Sequence, residues 1–165
     1  MKKLIIVSLA LASCSPAYAT EAPITGNVQT RCLITTDTNG VYGNPLPSKL
    51  STLSADGGVV PVVRYDVTLA DAYLAKVTTP TGFTSNPNLV DSVAWTGSTT
   101  VTNTTDAGMA GYEAAKVTYG STTQYDLTVA GSTWFSSEST AVYGGTKSFP
   151  GGSYTAIVLA ECIAK

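Results

Sequence analysis

The stretch Ala22-Pro23-Ile24-Thr25-Gly26-Asn27-Val28-Gln29-Thr30-Arg31-Cys32-Leu33-Ile34 alternates in polarity. Its even positions, Ala22, Ile24, Gly26, Val28, Thr30, Cys32 and Ile34, are small or apolar in the main, whereas Thr25, Asn27, Gln29 and Arg31 between them are polar. A period of two sends these sets to opposite faces, which predicts a one-faced strand over 22–36. The same pattern continues through the chain. Val, Ile, Thr and Tyr recur at period two, threonine is the commonest residue, and helical periodicity is nearly absent. Dense turn chemistry separates the runs, as in Asp37-Thr38-Asn39-Gly40, Asp56-Gly57-Gly58, Pro80-Thr81-Gly82 and Pro150-Gly151-Gly152. Further strands are expected at 59–69, 71–79, 91–96, 99–104, 113–119, 123–130, 133–136, 139–143 and 153–164, with at most a helical turn over 106–112. Many short strands at regular spacing predict an all-β, antiparallel sandwich.

Charge and composition narrow the chemistry. The chain has 165 residues, of which 44% are hydrophobic and 12% charged, enough for one domain with a real core. Nine basic residues face eleven acidic ones, so no basic field is present to attract nucleic acid or anionic lipid. Histidine is absent. That removes the commonest general base, the usual imidazole metal ligand and every Ser/His or Cys/His nucleophile pair. No catalytic residue, metal ligand or cofactor site is expected.

The first nineteen residues read as an export signal. Lys2 and Lys3 form a basic start, Leu4 to Ala12 an apolar stretch, and Pro16-Ala17-Tyr18-Ala19 a helix breaker followed by small residues where a signal peptidase reads. Cleavage after Ala19 would leave 7 positive and 11 negative charges, a net of −4. Leu11-Ala12-Ser13-Cys14 offers a competing reading, because it resembles the lipobox of bacterial lipoproteins, in which the cysteine is lipidated. Either route disposes of Cys14 and leaves Cys32 and Cys162. In an oxidising compartment these are expected to form one disulfide across a separation of 130 residues; two separate buried thiols are the alternative. The resulting division is a signal peptide at 1–19, an N-terminal extension at 20–31 and a β-sandwich domain at 32–165.

The end of the chain is apolar on both faces. In Ser153-Tyr154-Thr155-Ala156-Ile157-Val158-Leu159-Ala160-Glu161-Cys162-Ile163, one face carries Tyr154, Ala156, Val158, Ala160 and Cys162 and the other Ile157, Leu159 and Ile163. Such a strand expects burial on both sides. The signal, the alternating extension with its central Gly26, the early Cys32 and the approach Phe149-Pro150-Gly151-Gly152-Ser153-Tyr154 to an apolar terminal strand together resemble the subunits of bacterial chaperone/usher fimbriae. Three features depart from that family: the only partner left for Cys32 is Cys162, far from the early pairing usual there, the chain ends Ile163-Ala164-Lys165 without a near-terminal tyrosine, and the central region from Asp56 to Trp95 does not follow the family's pattern.

The resemblance implies an immunoglobulin-like sandwich completed by a donor strand from a neighbouring subunit. Ala22, Ile24, Gly26 and Val28 would be the donor positions, and Tyr154, Ala156, Ile157, Val158, Leu159 and Ala160 would belong to the accepting terminal strand. It further implies identical subunits in a polymer, a periplasmic chaperone, an outer-membrane usher, and export through the periplasm to a surface filament. Burying Ile24 or Val28 would contribute about 1.5 to 3 kcal/mol each, and alternate side chains would fill pockets along an open sheet edge. A secreted or lipid-anchored monomeric binding module is the alternative.

Other motifs read as structure. Asp37-Thr38-Asn39-Gly40 starts like a calcium loop but lacks a third oxygen ligand and the distant glutamate, so a plain turn is expected. Asp66, Asp71 and Asp91 read as solvated strand-end carboxylates. Trp134-Phe135 with Trp95 and Tyr73 could make an aromatic sugar platform, yet aromatics at strand spacing predict core. Asn103-Thr104-Thr105 is a formal glycosylation acceptor, silent behind a bacterial-style signal.

Overall fold

Val63, Tyr65 and Val67 alternate with Val62, Arg64 and Asp66, and only the first set is buried, so this run forms a strand that covers the core with one face. The same logic builds most of the architecture in the computed structural model, which describes residues 31–144 and 147–165. Ten strands follow in order: β1 (Cys32–Thr38), β2 (Gly43–Leu46), β3 (Lys49–Ser51), β4 (Val62–Val67), β5 (Tyr73–Thr78), β6 (Val93–Thr104), β7 (Val117–Tyr119), β8 (Thr122–Leu127), β9 (Gly131–Tyr143) and β10 (Leu159–Ala164). Every pairing among them is antiparallel. The expected all-β sandwich is the fold observed. The signal at 1–19 and the donor positions Ala22, Ile24, Gly26 and Val28 lie outside the described residues.

The two sheets differ in size. In the larger, β9 is the spine: β6 pairs along its whole length on one side, while on the other β4 and then β1 extend its first half and β3 and then β2 its second. The smaller has the order β10-β5-β8-β7. It faces the first half of the larger sheet, and the core between them holds Tyr65, Phe135, Tyr125, Leu127, Ala75 and Val77, all almost wholly excluded from solvent. Tyr65 and Tyr125 both pack their rings on Phe135, with centroids 5.3 and 4.4 Å away. The second half is covered by loops, whose Phe83, Phe149 and Tyr154 cluster with Trp95.

Several expected elements change in form. The strands expected at 91–96 and 99–104 are one, β6, and those at 133–136 and 139–143 are one, β9. Gly97 causes no break; it lets Thr79 approach, since a Cβ there would stand 2.8 Å from both the Thr79 Cβ and the Glu138 carbonyl. The strand expected at 113–119 starts as a single helical turn, α1 (Tyr112–Ala115), before β7. The turn allowed over 106–112 is a 3₁₀ turn at Ala107–Met109, capped by the Asp106 carboxylate accepting from Gly108 N–H at 2.7 Å.

The expected terminal strand at 153–164 is shortened. Its ladder with β5 begins at Leu159, so among the named acceptor positions only Leu159 and Ala160 lie on a strand, and Tyr154 to Val158 form an extended strap. Thr155 holds that strap through an isolated bridge to Ser85, with backbone bonds in both directions. The expectation of burial on both faces is also corrected. Ile157 on the strap and Leu159 on β10 are 60% and 52% exposed, because the face that carries them is turned away from the core.

Candidate functional site

A sandwich has two flanks where the edges of its sheets face each other, and here they are built differently. On one flank the edges are β6 and β7. The crossover between them fills that flank: Met109 and Tyr112 are buried, and the Tyr112 hydroxyl accepts from Val129 N–H at 2.9 Å. On the other flank the edges are β1 and β10, and among the described residues no strand pairs with the free side of either.

This second flank is tied at one end. Cys32 and Cys162 form the expected disulfide, with a Cα separation of 6.4 Å, and so join the outermost strand of one sheet to that of the other. From there a row of half-buried apolar side chains, Cys32 and Ile34 on β1 with Cys162, Ala160 and Val158 opposite, borders the core. Toward the far end the borders part around a cleft of about 740 Å³. Val63 and Leu50 lie at its base with Tyr42, Thr36 and Thr38 form the β1 side, and Tyr154, Ala156, Ile157 and Val158 form the strap side. Four of the six acceptor positions named from the sequence therefore line the cleft, from the strap, whereas Leu159 and Ala160 do not.

The polar chemistry in the cleft is modest. The Tyr42 hydroxyl shares a hydrogen bond with Ser139 Oγ at 3.1 Å, and the Tyr154 hydroxyl donates to the Pro150 carbonyl at 2.7 Å. Burial raises both phenols above the usual tyrosine range, so they are neutral at physiological pH. Among the described residues no carboxylate, amine or thiol lines the cleft. The arrangement can take up apolar side chains and offer free strand edges, and these lining residues pair no nucleophile with a base.

The other sequence motifs are dispersed. Asp66 pairs with Arg64, Asp71 with Lys165 and Asp91 with Lys147, so the three carboxylates neutralise separate cations. Phe135 and Tyr73 belong to the core, Trp134 lies under the Arg64 guanidinium at 5.8 Å, and Trp95 packs on Phe83; these four form no shared aromatic platform. Among the described residues no three His, Cys, Asp or Glu side chains converge as a metal site requires, and no helix is long and apolar enough to cross a membrane. Sequence periodicity does not reveal the strap as a cleft wall, because the bonds of Thr155 to Ser85 and Thr84 that hold it there join distant segments.

Compared with family models, with curated proteins and with solved structures, the chain finds no match.

Proposed function

We propose that this protein is a structural subunit of an extracellular filament, exported through the periplasm, in which the N-terminal extension of one copy fills the open flank of the next. The observation that carries the reading is the difference between the flanks: the β6/β7 side is plugged by its own crossover, and the β1/β10 side has an apolar row, a cleft and two free edges among the described residues. A strand laid there would bond to β1 or β10 through its main chain and place alternate residues inward. Ile24 and Val28 suit that role, and Gly26 suits a shallow stretch of the groove.

The direction of the chain favours exchange over self-completion. Arg31 continues the β1–β4 pairing past Cys32, since its N–H donates to Thr68 Oγ1 at 3.1 Å and its carbonyl accepts from Thr68 N–H at 3.2 Å. Arg31, the first described residue, thus stands at the disulfide end, opposite the cleft. A site at one pole and an extension from the other give a head-to-tail contact that repeats without closing. A chaperone that covers the flank before assembly and an outer-membrane usher belong to the same reading.

Two complementary variants test it. Ile24→Asp removes a donor anchor and spares the groove, whereas Val158→Asp puts a charge in the groove and spares the donor. Each alone should fail to form long polymers under the electron microscope, and an equimolar mixture should stop at dimers. Undiminished filaments from both variants, or a wild-type protein that stays monomeric at high concentration, would exclude donor-strand assembly; monomers that take a small ligand in the cleft would favour the binding module.

A further inference from the structure

The longest free edge among the described residues is β6, at twelve residues, and an edge of that length is a standing template for unwanted pairing. Two of its outward backbone groups are already engaged by side chains of the following turn. Val101 N–H donates to Glu113 Oε2 at 2.9 Å, and the Thr99 carbonyl accepts from Lys116 Nζ at 2.9 Å and from the Tyr125 hydroxyl at 2.9 Å. Glu113 and Lys116 also pair with each other, since Lys116 follows directly on the turn α1 that carries Glu113. A parallel strand added beside β6 would offer one residue whose N–H reached Thr99 and whose carbonyl reached Val101. The ion pair presents the same donor and acceptor in the same two places. A register break between Val101 and Asn103 distorts the ladder just beyond them.

Among the described residues the free side of β1 is paired with no strand. We infer that Glu113 and Lys116 act as a guard that closes β6 to incoming strands and so directs strand addition to the β1/β10 flank. The closing of β6 stands on its own geometry; the direction it imposes rests on the function proposed above.

The test uses the mature full chain carrying Ile24→Asp, in which the proposed donor is disabled, so that association through β6 is read whether or not the filament reading holds. Adding Glu113→Ala and Lys116→Ala should bring self-association to a concentration lower by about tenfold, near what one net backbone hydrogen bond is worth. Sedimentation velocity reads the shift, and hydrogen exchange should show new protection confined to residues 93–104. Glu113→Gln alone keeps a carbonyl for Val101 N–H and should leave the edge closed. A folded double-alanine variant that sediments like its parent overturns the guard, as does association by Glu113→Gln equal to that of the double variant. If the double variant does not fold, Glu113→Ala alone, which leaves Val101 N–H without its acceptor, is read by the same criterion.

Discussion

The hydroxyl of Tyr65, on β4 in the larger sheet, donates to the carbonyl of Glu161, on β10 in the smaller one, at 3.2 Å, and to that of Lys76 on β5 at 2.9 Å. One buried side chain thereby joins the sheets on the flank whose edges carry no further strand among the described residues. It also makes the join sensitive to base. Burial raises the Tyr65 phenol far above its ordinary value, against a smaller opposing effect of the bond to Glu161, and burial together with the Glu113 charge raises Tyr125.

Alkaline stability follows from those two phenols. Their native pKa values are raised, so the unfolded chain loses protons first, and the stabilisation is complete below about pH 10 and declines as pH climbs from there toward the native values. Denaturant titrations between neutral pH and about pH 11 should show this fall, and tyrosinate absorbance should rise together with unfolding. Tyr65→Phe should flatten the decline; an unchanged slope in that variant would remove Tyr65 from the account.

Replacing Cys32 and Cys162 together by Ser should destabilise the domain by about 2 to 5 kcal/mol, the usual range for a native disulfide. Reduction of the wild type should do the same. Calorimetry checks both, and the loosening should appear first as faster exchange in β1 and β10, the two strands that the bond joins.

Gly97→Ala should cost about 1 to 3 kcal/mol through overpacking, since its Cβ would meet a backbone carbonyl and Thr79 at once. Thr79→Ser, by removing a methyl from that contact, should recover part of the loss in the double variant. A melting temperature unchanged by Gly97→Ala would show that the loop carrying Thr79 yields freely.

If the protein is exported as proposed, its mature form should begin at Thr20. Intact mass settles this, and a diacylglycerol on Cys14 would overturn it.

The core is legible in sequence wherever a strand keeps strict alternation. Val63, Tyr65 and Val67 on β4, Tyr73, Ala75 and Val77 on β5, and Thr123, Tyr125 and Leu127 on β8 all point inward as their parity requires. The disulfide is legible from the count and parity of the cysteines. Where reading fails, distant packing overrides a local signal. Gly97 looks like a break and is a close contact, and the polar run Ser136-Ser137-Glu138-Ser139-Thr140 in the middle of β9 hides its continuity, although Ser137 and Ser139 are buried. Strands as short as β2 and β3 carry no period to detect. The cleft is legible only on its strap side, because Tyr42, Leu50 and Val63 reach it from three separate segments.

The position of the disulfide sets how the molecule would carry load. Cys32 is the first residue of the first described strand, and its partner Cys162 lies on the other strand bordering the open flank. Tension applied through residue 31 meets, just past the Arg31–Thr68 hydrogen bonds, a covalent bond at the first residue of β1, and passes there into β1 and β10. A strand seated between those two would be sheared along its length, against many hydrogen bonds together, while the aromatic core beneath remained outside the path of the force. In a chain of such subunits the tie and the seated strand would alternate as the links, and the domains would hang beside the line of tension.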